Sequence, residues 1–309
     1  MRYDRIIDRD LLLHLPVVAT VARRKSFAAA AAELDLSASA VSHAVRMVEE
    51  RLKTPIFART TRSVALTEAG QRFLDQTAPA LDQIREAVET AQALRGQVTG
   101  TLRINAPRIA FPIVLTDLLV ASAIRHPDLT VEVVSEDASI DIVAQGYDAG
   151  VRLGEMIAED MVAVRLTPPL KVIMVASPAY LARAGEPRAV AALREHACIG
   201  YRQLGSGAAY AWELLDDGRD VAVSVSGPAR VTDPLAALDL AVAGVGIAYL
   251  FEHTARAALA AGRVRQVLPA SAIEEPGLFL YFPRRAAEAP KLRAFIDLAR
   301  ARLASQVSI

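Results

Sequence analysis

Cysteine is nearly missing from this chain: Cys198 is the single one among 309 residues. One thiol cannot form an intrachain disulfide or a multi-cysteine zinc site, so the fold has neither staple. Net charge is missing as well. The 35 Lys/Arg are balanced by 35 Asp/Glu, which argues against a uniformly basic nucleic-acid coat. Long apolar runs are also lacking. The longest, Phe111–Ile124, is 14 residues and contains Pro112 and Asp117, short of the ~20 residues that a bilayer span needs. The opening MRYDRIIDRD alternates charge and does not read as a signal sequence. A cytoplasmic protein without a membrane partner is expected.

Catalytic signatures are absent too. Gly205-Ser206-Gly207 lacks the surroundings of a nucleophile elbow. Gly244-Val245-Gly246 has no third glycine at dinucleotide-binding spacing, and no P-loop occurs. The five histidines are scattered with no i,i+4 pair, so no metal site is expected. Cys198 lies in the apolar run Ala-Cys-Ile-Gly-Tyr and reads as inert core, not as a nucleophile. The expectation is no enzyme and no cofactor.

What is present is a chain 53% hydrophobic and 23% charged, long enough for two or three domains. Its charge is uneven. Residues 1–66 hold eleven Lys/Arg against seven Asp/Glu, a local basic excess that fits a specific DNA-binding module. Within it, Asp10–Arg24 predicts a helix with Leu12, Leu15, Val18 or Ala19, and Ala22 inward, starting late or bending at Pro16. Ser26 is placed to cap an Ala-rich helix ending near Leu34. After a four-residue turn Ser37 caps a second helix, Ala38 to Leu52, with Leu36 positioned as a hydrophobic staple. Two helices joined this tightly form a helix-turn-helix, whose second helix can enter the DNA major groove.

That second helix turns Ala40 or Val41, Val45, Val48 and Leu52 inward. Its outward side offers Ser39, Ser42, His43 and Arg46, which with the cap Ser37 and the following Lys53 make up the candidate DNA contacts. Taken alone, the same pattern describes any soluble helix with a polar face. Two short strands, Ile56-Phe57 and Val64–Leu66, flank the basic tip Arg59-Thr60-Thr61-Arg62. Such a wing suits phosphate or minor-groove contact.

These residues carry a family likeness. Ser26, Ala30-Ala31, Leu34, Ser37, Ala40-Val41-Ser42, Ala44-Val45, Val48-Glu49 and Leu52 are followed in register by Ile56-Phe57, Arg59-Thr60, Arg62, Val64, Leu66-Thr67 and Ala69-Gly70. The whole resembles the LysR-type transcriptional regulators. The chain departs from that pattern at Ala38 and Ser39, where the family usually has Gln and Pro, and at Lys53, where it usually has Gly. A glycine there would serve a left-handed helix cap.

Thr67 then caps a long helix, residues 68–95, of roughly 42 Å. Leu74, Leu81, Ile84, Val88 and Ala91 recur on it with heptad spacing, a candidate seam between two protomers. In the family it resembles, this is the dimerisation helix. Beyond a hinge at 96–100, short strands alternate with helices, which predicts mostly parallel α/β sheets. The strands expected are Leu102–Asn105, Leu129–Ser135, Ala149–Leu153, Val162–Leu166, Val172–Ala176, Ala197–Tyr201, Val221–Val225, Arg230–Thr232, Gly246–Leu250 and Phe279–Phe282. Helices include Ile113–Arg125, Ile140–Gln145, Pro178–Ala184, Pro234–Ala243, Thr254–Ala261 and Lys291–Leu303. The resemblance continues through Gly100–Pro107, Asp148–Gly154, Ala176–Leu181, Cys198–Arg202, Ala243–Ala248 and Ala261–Leu268. It implies a winged helix-turn-helix domain (1–66), a linker helix and hinge (67–99) and a two-lobed effector domain (100–309) resembling the periplasmic binding proteins of type 2. The lobes are placed at 101–173 with 276–309, and at 174–275.

Ligands of such sheets sit beyond the carboxyl ends of strands. The candidates are therefore Pro107 and Arg108, Arg152, Tyr201 and Arg202, and Thr232 and Asp233. Arg108, Arg152 and Arg202 favour an anionic small-molecule effector, a carboxylate among the options. The favoured reading is a regulator that binds double-stranded operator DNA as a homodimer or homotetramer under effector control. The alternative is a cytosolic small-molecule sensor whose N-terminal module serves assembly only.

Overall fold

The structure, a computed structural model, describes residues 9–59, 64–93, 98–138, 140–154, 157, 160–204 and 206–307. The chain divides into two units at Arg95/Gly96.

In the first unit, α1 (Arg9–Arg24) is continuous through Pro16 and does not start late. An interior proline costs a helix about 3 kcal/mol. The buried Leu11, Leu15, Val18 and Val21 outweigh that, at about 1.5–3 kcal/mol each. Thr20 also returns its hydroxyl to the Pro16 carbonyl, 2.9 Å away. The middle of the inward stripe, Leu15 and Val18, is as expected, but its ends are set one residue back: Leu11 is buried while Leu12 is 52% exposed, and Val21 takes the place given to Ala22.

Helix α2 (Phe27–Glu33) begins where the Ser26 hydroxyl accepts the Ala29 N–H at 3.2 Å. Helix α3 (Ala38–Leu52) begins where Ser37 accepts that of Ala40 at 3.1 Å. Val41, Ala44, Val45 and Val48 close a core against α1 and α2. Leu36 is left exposed, so the expected staple is not made. Lys53 takes φ 52°, ψ 31° and donates its N–H to the carbonyls of Glu49 and Glu50. A lysine thus fills the left-handed cap that glycine ordinarily supplies. Strands β1 (Phe57–Arg59) and β2 (Val64–Leu66) pair antiparallel, Phe57 opposite Leu66. Thr67 then donates its hydroxyl to the Pro55 carbonyl at 2.7 Å and accepts the Gly70 N–H at 2.9 Å, starting α4 (Glu68–Ala93). A Cβ on Gly70 would stand 2.1 Å from the Ile56 carbonyl oxygen, so only glycine lets this helix approach the wing.

The second unit opens with β3 (Gly100–Ala106) and a π-helical turn, Phe111–Leu115, that leads into α5 (Thr116–Arg125). It continues through β4 (Leu129–Ser135), β5 (Ala149–Leu153) and β6 (Met161–Arg165). The chain then crosses to a second lobe comprising β7 (Leu170–Ala176), α6 (Pro178–Ala184), β8 (Cys198–Arg202) and β9 (Ala209–Tyr210). There follow β10 (Trp212–Asp216), β11 (Arg219–Val223), β12 (Ala229–Val231), α7 (Pro234–Val242) and β13 (Ile247–Phe251). Helix α8 (Glu252–Ala260), β14 (Arg265–Val267) and β15 (Ile273–Glu275) complete the lobe. The chain returns through β16 (Leu278–Pro283) and α9 (Pro290–Val307).

The first sheet has the order β4-β3-β5-β16-β6 and the second β12-β8-β13-β7-β14. Both are mixed, not mostly parallel: β16 runs against β5 and β6, and β7 against β13 and β14. Those antiparallel members are the strands by which the chain enters or leaves a lobe. Because β7 belongs to the second sheet from Leu170 onward, the lobe boundary at 173 is corrected to the crossover 166–169. The return crossover is 276–277. The two are pinned together, with Leu166 N–H on the Leu278 carbonyl at 2.8 Å and Leu278 N–H on the Thr167 hydroxyl at 2.9 Å. Residues 140–145 form turns and no helix, although Ile142 is buried.

Candidate functional site

On the first unit, Ser39, Ser42, His43 and Arg46 are exposed along the amino-terminal turns of α3. Ser37 is spent as the cap, its hydroxyl 2.9 Å from that of Ser39. Arg46 Nη2 lies 3.4 Å from His43 Nδ1. The His14 ring of α1 stands edge-on to His43, centroids 6.2 Å apart. Lys53 is exposed beyond the helix end. Of the wing tip, Thr60, Thr61 and Arg62 lie outside the described residues, and Arg59 is described only by its backbone pairing to Val64.

The sequence reading did not single out Glu49. Its Oε1 accepts the N–H groups of Ile56 and Phe57, at 2.8 and 3.1 Å, and ties α3 to the first wing strand. Its place in the family pattern was the one available signal.

Along α4, the candidate seam divides. Leu74 is buried in the core of its own unit and Leu81 packs at the margin of that core. Leu74 is therefore withdrawn from the seam by the neighbours it already has. Ile84 and Val88 are 59% and 53% exposed, and Ala91 is exposed with them.

In the second unit the loops after β3, β4 and β12 meet between the lobes. Pro107 opens the first, its carbonyl accepting the Ala110 N–H at 2.9 Å. Arg108 follows. Its N–H donates to Asp137 Oδ1 at 2.9 Å, its Nε lies 3.5 Å from Asp137 Oδ2, and its Nη1 reaches Asp233 Oδ2 in the other lobe at 3.3 Å. Asp233 also caps α7 through Oδ1, accepting the Leu235 N–H at 2.9 Å.

Arg152 is elsewhere engaged. It is 3% exposed and donates to the Val151 carbonyl, Asn105 Oδ1 and the Ala138 carbonyl, each at 2.7 Å, and to the Glu136 carbonyl at 3.4 Å. Burial lowers its pKa, with Tyr281, Asp137 and Glu136 acting the other way. The expectation that its charge faces a ligand is corrected: the guanidinium holds the loop after β4. Tyr201 is likewise occupied, donating to the Tyr249 carbonyl at 2.8 Å, and burial followed by the Asp233 charge pushes its hydroxyl pKa up. Arg202 and Thr232 are exposed at the second lobe's strand ends, with Arg202 lying against Gly207.

The structure thus joins Arg108 to Asp233, turns Arg152 and Tyr201 inward, and leaves Arg202 and Thr232 at the rim. Two residues in this region went unrecognised in the sequence. Asp137 follows the end of β4, so the strand-end rule could have found it. His253 donates from Nε2 to the Pro112 carbonyl at 2.7 Å, a second bond between lobes. It had no pattern to announce it. Cys198 is fully buried in β8, its thiol pushed up to about 12 by burial.

Known proteins match both units. The model of the LysR substrate binding domain matches residues 95–304, and that of the bacterial regulatory helix-turn-helix protein, lysR family, matches 12–71. The chain is 41% identical over 277 residues to YcaN, an uncharacterized HTH-type transcriptional regulator of Escherichia coli K12, covering 90% of each. It is 33% identical over 289 residues to the HTH-type transcriptional regulator PgrR of the same organism, covering 94% of this chain and 97% of PgrR. Among solved structures, CrgA, a LysR-type regulator from Neisseria meningitidis, aligns with TM-score 0.61 at 25% identity over 96% of this chain and 99% of its own. A full-length variant of AphB shares the fold, with TM-score 0.68 at 22% identity over 97% of this chain and 98% of its own. Motif, fold and relatives agree: the chain belongs to the LysR-type transcriptional regulators, with a helix-turn-helix DNA-binding domain and a two-lobed effector-binding domain.

Proposed function

We propose that this cytoplasmic regulator binds operator DNA as a homodimer or homotetramer, with α3 in the major groove and the wing on the adjoining backbone, and that a small anionic effector between the lobes sets how the protomers are arranged. It uses no cofactor and performs no catalysis. The observation that carries the DNA reading is the outward face of α3, where Ser39, Ser42, His43 and Arg46 stand exposed beside the capped helix start. Short hydroxyls there reach base edges or phosphates, and an imidazole and a guanidinium add donors. The exposed Ile84, Val88 and Ala91 on α4 give a second copy an apolar stripe to cover. Arg108, half exposed between the lobes, supports an anionic effector.

Fluorescence anisotropy with labelled DNA from upstream of the gene, across single-base variants, tests the assignment. Ser42→Ala and His43→Ala should change the ranking of variants by about tenfold at one or two positions, since a good base contact is worth ~1–3 kcal/mol. A uniform loss across all variants would make them backbone contacts.

A further inference from the structure

We propose that Asp233 is an internal substitute for the effector's anionic group: its carboxylate occupies the Arg108 guanidinium until a carboxylate or other oxyanion from solution displaces it. The proposal rests on the cleft being the effector site, and it specifies how that site is kept closed.

Arg108 is fixed from behind. Asp137 takes its N–H at 2.9 Å and lies 3.5 Å from its Nε. Asp137 is in turn held in place by Arg152, which bonds the carbonyls of Glu136 and Ala138 on either side of it. The far end of the Arg108 guanidinium is thereby aimed at the second lobe, where Asp233 Oδ2 meets it at 3.3 Å.

Charge decides between addition and exchange. Arg108 already faces two carboxylates, and the Arg152 guanidinium behind Asp137 is matched by Glu136, so a further anion would enter a site with surplus negative charge. One carboxylate has to leave, and Asp137 is locked by backbone as well as side-chain contacts. Asp233 is the one free to yield: Oδ1 keeps the Leu235 N–H and the α7 cap whether or not Oδ2 holds Arg108. Its bond to Arg108 is weak, because the arginine side chain is 52% exposed and the pair is long. An incoming carboxylate can take the guanidinium with two parallel hydrogen bonds, where Asp233 contributes one oxygen. Exchange then removes a bond between the lobes and leaves His253 to Pro112 as a link, so occupancy of the site is coupled to how firmly the lobes are joined.

The test uses the full-length protein with inorganic phosphate and with acetate as probes, titrated by calorimetry at constant ionic strength in chloride. Asp233→Asn keeps a good helix cap and removes the internal anion. It should bind at least one of the two probes tenfold or more tightly than the original protein, and Arg108→Gln added to Asp233→Asn should abolish the gain. Equal affinity in the original protein and D233N, no detectable binding in either, or a gain that survives R108Q, overturns the proposal. Operator binding followed by anisotropy in the same samples separates the two levels. If the D233N gain appears but no probe alters DNA binding, the exchange stands and the regulatory reading of the cleft falls.

Discussion

The outward face of α3 and the cleft between the lobes use the same kinds of side chain in different states. On α3, Ser39, Ser42, His43 and Arg46 face solvent, and the bonds among them and to Ser37 are local, exposed and within one helix. In the cleft, Arg108, Asp137, Arg152, Tyr201 and Asp233 are already one another's partners or bonded to backbone. A ligand arriving there must exchange an existing contact, so its affinity is the difference between what it makes and what it displaces. On the proposed assignments, DNA recognition reads off an exposed surface, whereas effector recognition is a competition. Within the cleft the same contrast recurs between two arginines, one buried with both terminal nitrogens bonded, one exposed and shared.

The sharpest way to test that contrast is to remove each arginine in turn. Arg152→Ala strands several buried acceptors, among them Asn105 Oδ1 and the Ala138 carbonyl. Each costs ~1–3 kcal/mol when unpaired, so the loss should be about 3 kcal/mol or more in denaturant unfolding followed by circular dichroism. Arg108→Ala should change stability by less than about 1 kcal/mol in the same measurement. Comparable losses for the two would erase the distinction between them.

A smaller effect is expected on α4. Replacing Ile84 and Val88 together by Asp should leave the helix-turn-helix core intact, since both are exposed in the single chain. Self-association measured by sedimentation should weaken about a hundredfold, because Ile84 and Val88, 59% and 53% exposed in the single chain, each have about half of the ~1.5–3 kcal/mol of full burial still to gain. An unchanged sedimentation profile would mean that these residues pack against nothing. The smallest effect is at the end of α3. Lys53→Gly relieves a left-handed lysine at φ 52° and should raise the stability of the first unit by about 0.5–1 kcal/mol. A loss of stability would show that the lysine side chain contributes more than its backbone costs.

Much of the first unit was legible because its signals are local. Ser26 and Ser37 mark helix starts by a hydroxyl three residues from the N–H it accepts, and both caps form where expected. The first member of the α1 stripe was misplaced by one residue because the run Leu11-Leu12-Leu13 is apolar on every side, and only packing against α2 and α3 selects a face. In the second unit, strands such as Leu129–Ser135 and Ala149–Leu153 were read to the residue. The lobe boundary was not, because β7 is apolar apart from Lys171 and nothing local states which sheet it joins. The hairpin of β10 and β11 was half seen, its first strand hidden by the charged Glu213 and Asp216 within it. In the cleft, strand ends pointed to the right loops but not to who bonds whom. Arg108 and Asp233 are 125 residues apart, and Arg152 looks the same in sequence whether it faces solvent or carbonyls.

One carboxylate sets a length. Glu49 leaves α3 and grips the two successive N–H groups that begin the wing, while Lys53 and Thr54 fold the chain back over the same turn. In the proposed mode of binding, α3 and the hairpin beside it are therefore the two jaws of a single caliper, joined through Glu49. An operator in which a base pair is inserted between the segments that the jaws touch cannot be accommodated by stretching the protein. The DNA would have to twist or bend to make up the difference, and the strength of binding to such spaced operators should follow the stiffness of the inserted step.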